Sequence, residues 1–160
     1  MSSSERQNAG SIPRPIARTQ PMFHRVLRAD PFEVRQALRD LRARFAPAVS
    51  ADAMGRLELV LAEVMNNVAE HSATQGVGSG AMHLCIVMQD GGLSCAITDD
   101  GGKLPADCLK PRNLPAIDPL DLPEGGFGWF LIQGLTQSLC YYREDRRNCL
   151  AFTVPYQQLS

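Results

Sequence analysis

No stretch of this sequence approaches the roughly 18 consecutive apolar residues that a membrane-spanning helix needs. The opening Ser-Ser-Ser-Glu-Arg-Gln-Asn-Ala-Gly-Ser run likewise lacks the apolar core of a secretory signal. A cytoplasmic protein without membrane contact is the expectation. Neither sign of charge is in surplus, with 16 Lys and Arg against 17 Asp and Glu and no long block of either. An extended electrostatic footprint for nucleic acid is therefore excluded, and a protein or small-molecule partner is favoured. There is no C-x-x-C pair. The five cysteines, Cys85, Cys95, Cys108, Cys140 and Cys149, are scattered, which indicates reduced thiols rather than a disulfide framework or a zinc knuckle. His83 and Cys85 alternate onto one strand face, yet no second pair at ligand spacing accompanies them, and Cys85 reads as a small core residue.

What is present fits one domain of ordinary core size: 160 residues bury about 70% of their unfolded surface. Residues 1–20, rich in Ser, Pro and Arg, read as a flexible arm, and residues 21–158 as the folded domain. Phe23 to Ala29 predicts a strand. Asp30-Pro31-Phe32-Glu33 then supplies an N-cap, a first-turn proline and a returning carboxylate, so a helix is expected to about Ala46. Its apolar positions are Phe32, Ala37, Leu38, Leu41 and Phe45. Its other side carries Arg35, Arg39, Asp40, Arg42 and Arg44, either a solvated face or a contact for an acidic partner. Ser50 caps a second helix, predicted to about Ser72, with Leu57, Leu61, Val64 and Val68 inward. Gly76-Val-Gly-Ser-Gly80 follows a helix and precedes a strand, the reverse of a phosphate-cradling setting, and reads as a flexible connector. Met82 to Gln89 and Leu93 to Thr98 flank Asp90-Gly-Gly92 as a hairpin. Residues 101–126 are loaded with Pro and Gly and predict a lid. Phe127 to about Leu139 reads as a third helix. Cys140 to Glu144 and Cys149 to Val154 form a closing antiparallel pair through Asp145-Arg-Arg-Asn148. The fold class is a two-layer α/β sandwich, a mostly antiparallel or mixed sheet covered on one face by three helices.

Three segments carry chemistry. Glu63-Val-Met-Asn-Asn67-Val-Ala-Glu-His71 spaces a carboxylate, a carboxamide and an imidazole four residues apart. On a helix each step advances about 6 Å and turns about 40° past a full circle, so the three share a stripe that faces either solvent or a ligand. Ile97-Thr-Asp99-Asp-Gly101-Gly closes a strand. Glu124-Gly-Gly-Phe-Gly128-Trp-Phe-Leu-Ile132 opens a helix, and Asn148 precedes the last strand. Together and in this order, across about residues 22 to 155, these segments resemble the nucleotide-binding boxes of the histidine kinase-like (Bergerat-fold) ATPase superfamily. More narrowly they resemble the bacterial anti-sigma-factor serine kinases. Many superfamily members carry a further glycine where this chain has Lys103, and Asp99-Asp-Gly-Gly-Lys-Leu-Pro105 is similar to the anti-sigma branch.

The resemblance implies a site for ATP and Mg2+. Asn67 would be the magnesium ligand and Glu63 the general base. Asp99 would accept a hydrogen bond from the adenine amino group, with Gly101 letting the backbone pass close to the base. Gly125, Gly126 and Gly128 would meet the triphosphate at a helix N-terminus, with Leu131 following at the family's place. His71 completes the stripe as a ligand contact or as a helix-end anchor. Asn148 fixes its turn. By the same resemblance the partners are a sigma factor and an antagonist protein, and the chain forms a homodimer. The leading expectation is a serine/threonine protein kinase that phosphorylates the antagonist in a partner-switching system. The competing one is a nucleotide-dependent protein-binding regulator without phosphoryl transfer. A sensor histidine kinase fragment is disfavoured, because no helical hairpin with a phosphoacceptor histidine precedes the boxes and His24 lies in a strand.

Overall fold

The computed structural model describes residues 22–76, 78–103 and 127–157. The expected arm at 1–20 lies outside the described residues, as does the expected lid apart from its first three positions, 101–103.

Strand β1 (Met22–Arg28) leads through Asp30, whose carboxylate accepts the Phe32 N–H at 3.0 Å, into helix α1 (Pro31–Phe45). The Glu33 carboxylate reaches back past that cap and accepts the Arg28 N–H, tying the strand to the helix corner. Helix α1 buries Val34, Ala37, Leu41 and Phe45, a stripe at steps of three and four residues. Phe32, expected on that stripe, is 58% exposed. It stands two positions before Val34, about 200° around the helix. The Phe23 ring lies 6.5 Å from that of Phe45, joining β1 to the helix layer. On the outer side Arg25 pairs with Asp40, and Arg42 forks onto both oxygens of Glu58 at 2.5 and 2.8 Å.

Ser50 Oγ accepts the Ala53 N–H at 3.2 Å and opens helix α2 (Ala51–Gln75). Ala53, Met54, Leu57, Val60, Leu61, Val64, Met65 and Val68 are buried along it. Full burial of a side chain such as Leu57 contributes about 1.5–3 kcal/mol, so this helix is the spine of the core. Strands β2 (Ala81–Met88) and β3 (Gly92–Asp99) form the expected hairpin. Helix α3 (Phe127–Leu135) precedes β4 (Gln137–Glu144) and β5 (Arg147–Pro155). The sheet order is β1-β2-β3-β5-β4 and every neighbouring pair is antiparallel. Leu84, Ile86, Cys95, Ile97, Leu150 and Phe152 point from the sheet into the helix layer. The expected α/β sandwich is therefore present, with no parallel pair among the described strands.

Three local expectations change. Helix α3 stops at Leu135 rather than near Leu139. Thr136 Oγ1 donates to the Ile132 carbonyl at 2.6 Å, and Ser138 takes a positive φ of 55° where β4 begins with an irregularity between Gln137 and Cys140. Pairing with β5 captures residues that helical period alone would have continued. The last hairpin turns tightly on Asp145 and Arg146, both at positive φ, 49° and 65°. Such a turn matches strand twist, and it places Asn148 inside β5, opposite Arg143 and Asp99. The 76–80 connector is pinned where it is described. Ser79 N–H lies 3.0 Å from each Asp100 oxygen, and Gly80 O accepts the Ala29 N–H at 2.8 Å. Gly78, at φ +89°, packs so closely that a Cβ there would stand 2.4 Å from Asp100 O.

Candidate functional site

The four-residue spacing on α2 does what helix geometry demands: Glu63 and Asn67 lie on one flank of the buried stripe, both half-buried. Trp129 and Ile132, 3% and 0% exposed, anchor α3 in the core, and α3 packs chiefly on α2. This contact brings Gly128, in the first turn of α3, against the polar flank. A Cβ at Gly128 would lie 2.6 Å from Glu63 Oε2 and 3.5 Å from Asn67 Nδ2. Asn67 Nδ2 is buried and has no hydrogen-bond partner among the described residues. A buried, unpaired amide group costs about 1–3 kcal/mol, so its place in the fold requires a compensating partner from elsewhere. Rotating the amide by a half-turn exchanges its nitrogen for oxygen at the same place, so Asn67 can offer a donor or an acceptor there.

The second part of the site is the end of β3. Asp99 Oδ2 accepts the Gly101 N–H at 2.9 Å and the Asn148 amide at 3.2 Å. Asn148 is 2% exposed and is hydrogen-bonded on both sides of its amide. Its Nδ2 reaches Asp99, the Gly102 carbonyl at 2.9 Å and the Gly101 carbonyl at 3.3 Å. Its Oδ1 accepts Tyr141 OH at 2.6 Å and Arg143 Nη1 at 2.9 Å. Arg143 Nη1 also donates to Gly101 O at 2.9 Å. Gly101 and Gly102 are consequently buried and tied down. Burial pushes the Asp99 carboxyl above the ordinary range, while the Gly101 N–H, the Asn148 amide and the Arg143 charge hold it back and neighbouring Asp100 adds to the rise. Asp100 moves the other way, held below the ordinary range chiefly by the Ser79 N–H.

The structure thus joins Glu63, Asn67 and Gly128 in one cluster and Asp99 and Gly101 in another. Leu131 is half-buried on α3. His71 belongs to the backbone of α2, and its side chain lies outside the described residues, as do Gly125 and Gly126. Sequence reasoning missed Tyr141 and Arg143 as supports for Asp99. The only signal available was the Asp145-Arg146 turn, which sets Arg143 opposite Asn148. Asn148 braces its turn, as expected, through Oδ1, which accepts Arg143 from across the hairpin, and in addition holds the 99–102 segment through Nδ2. His24 adds a ring 6.2 Å from that of His83. Even so, among the described residues no three His, Cys, Asp or Glu side chains gather as a metal site.

The donor set at Glu63 and Asn67, a carboxylate beside a carboxamide with an unpaired polar atom, suits a hard divalent cation that retains water and phosphate oxygens. The residues present therefore fit Mg2+ carried by a nucleotide. A two-layer sandwich with such a pair facing the first turn of α3, and a half-buried aspartate at a strand end, fits a nucleotide-binding class of fold. A family model of the histidine kinase-like ATPase domain matches residues 27–154, and the chain belongs to that family. It is similar to the serine-protein kinase RsbW of Staphylococcus epidermidis, 26% identical over 91 residues, covering 55% of this chain and 57% of the relative. RsbW from the strains ATCC 12228 and RP62A of that organism matches to the same extent. The chain thus aligns with a little over half the length of the curated relatives it matches. No helix among the described residues is long and apolar enough to cross a membrane.

Proposed function

We propose that this chain binds Mg·ATP and transfers the γ-phosphoryl group to a serine or threonine of a partner protein. The partner is an anti-sigma-factor antagonist, in a partner-switching system whose other partner is a sigma factor. The observation that carries the reading is the cluster of Glu63, Asn67, whose Nδ2 has no hydrogen-bond partner among the described residues, and Gly128 at the first turn of α3. The family and the likeness to a serine-protein kinase support it.

Phosphoryl transfer needs positioning and charge neutralisation more than covalent help from the protein. Asn67 would hold the metal through its amide oxygen, and the bound metal would neutralise phosphate charge. The Glu63 carboxylate would take the proton of the attacking hydroxyl as its oxygen bonds to the γ-phosphorus and the bond to the ADP oxygen breaks. Asp99, with Gly101 beside it, would accept the adenine amino group. Gly125 and Gly126, followed by Leu131, would line the phosphates, and His71 would close the stripe. The segment of about residues 101–126 would form the lid beyond its tied-down start at Gly101 and Gly102.

The test is thermal unfolding with and without Mg·ATP, followed by labelling of an antagonist-type protein with γ-labelled ATP. At about 100 times the dissociation constant a single-site ligand adds about 2.7 kcal/mol, or about 5–10 °C for a domain of this size. The rise should require magnesium and vanish in Asn67→Ala, and labelling should vanish in Glu63→Gln while binding persists. Binding without labelling of any antagonist would replace this reading with that of a nucleotide-dependent binding regulator.

A further inference from the structure

Three glycines ahead of a helix suggest that each leaves room for phosphate. Gly128 has a different neighbour: Glu63 Oε2 would stand 2.6 Å from a Cβ placed on it, and Glu63 Cδ 3.5 Å. Carbon and oxygen in ordinary contact keep about 3.4 Å, so a methyl group would drive the carboxylate away by most of an ångström. Among the described helical glycines the closeness is particular to Gly128. Gly134 in the same helix and Gly55 on α2 would each present a Cβ to open space, with nothing within 4 Å.

Neither helix is free to retreat. Trp129, the next residue, is 3% exposed and Ile132 is fully buried, which fixes α3. Val60 and Val64, 0% and 1% exposed, fix the Glu63 backbone on α2. The part that yields is the flexible end of the Glu63 side chain, so the fold tolerates a methyl group and the carboxylate does not keep its place.

We propose that Gly128 is a positioning residue for Glu63: its missing side chain seats the carboxylate against the first turn of α3 and sets where the base can stand. This rests on the reading of Glu63 as the proton acceptor, and it gives the third glycine a task separate from holding phosphate. A base misplaced by about 1 Å can lose about 100-fold in rate with binding intact.

The experiment compares wild type, Gly128→Ala, Glu63→Asp, the double variant, and Gly134→Ala as a helix control. Three quantities are read: Mg·ATP affinity, kcat and KM for transfer to the antagonist-type protein, and the Glu63 carboxylate carbon resonance in the nucleotide-free protein. Gly128→Ala should keep affinity within about threefold, lose about 100-fold in kcat with KM unchanged, and move the resonance. In the Glu63→Asp background, where the carboxylate is one methylene shorter and clears the methyl group, the same substitution should change kcat less than about threefold. Gly134→Ala should do none of this. Equal losses of affinity in both backgrounds would assign Gly128 to phosphate and overturn the proposal, as would an unmoved resonance. If the wild type binds nucleotide and labels nothing, the kinase reading fails while the resonance still decides the contact.

Discussion

Asn148→Ala probes the cluster around Asp99 most directly. The native amide meets five atoms: Asp99 Oδ2, the Gly101 and Gly102 carbonyls, Tyr141 OH and Arg143 Nη1. After truncation, Asp99 Oδ2 keeps the Gly101 N–H and Gly101 O keeps Arg143. Gly102 O, in a buried residue, loses the Asn148 amide, its donor in this network. The other partners keep a bond or reach solvent, so the stranded buried acceptor sets the loss, about 1–3 kcal/mol. At about 2–4 °C per kcal/mol the thermal midpoint should fall by roughly 2–12 °C. Denaturant unfolding at pH 7 measures the loss, read as a change in midpoint at constant m-value. Asn148→Asp should be worse than Asn148→Ala at pH 7, because it sets a second carboxylate beside Asp99, and should recover part of the deficit at pH 5. Mg·ATP affinity should fall at least about tenfold in both, since Asp99 and Gly101 lose their support. A loss under about 0.5 kcal/mol for Asn148→Ala would refute the assignment of the 99–102 segment to this one side chain.

Two further outcomes follow from the same geometry. The folded-state pKa of Asp99 lies above its unfolded value, mainly through burial, so its contribution is most favourable below the unfolded pKa and is lost as pH rises through the folded one. The stability of wild type minus that of Asp99→Asn should therefore grow as pH is lowered from 7 through the carboxylate range, and a shrinking difference would mean that the charge itself is stabilising. Gly55 is exposed within α2 and a Cβ there would touch nothing. Gly55→Ala should then raise stability by about 0.5–1 kcal/mol without altering nucleotide binding, as thermal unfolding would show.

What could be read from the chain was local. The Asp30 and Ser50 caps, the Asp90-Gly91 hairpin and the i, i+4 pairing of Glu63 with Asn67 each depend on residues within one turn or one element, and each is where the sequence places it. The misses depend on distant partners. Phe32 fits the local three- and four-residue spacing, but Val34 leads the buried stripe and leaves Phe32 exposed. Leu135 ends α3 because β5, not helix propensity, claims Gln137 onward. The hold of Asn148 on Asp99 spans 49 residues and depends on the register that the Asp145-Arg146 turn imposes, which no local pattern displays. The close approach of Gly128 to Glu63 is likewise invisible in a local pattern, since the two lie on different helices.

The strand order has a consequence for how the site comes into being. β5 lies between β3 and β4, so the support beneath Asp99 is laid by β4 and β5, the last two of the described strands. A nascent chain that has emerged only through α2 and β3 already carries Glu63, Asn67 and Asp99, yet it lacks Tyr141, Arg143 and Asn148 to hold the 99–102 segment. Such long-range closure is the slow part of folding. A nucleotide gripped at this end would therefore report that the sheet is complete, and would stabilise only chains that have finished building it.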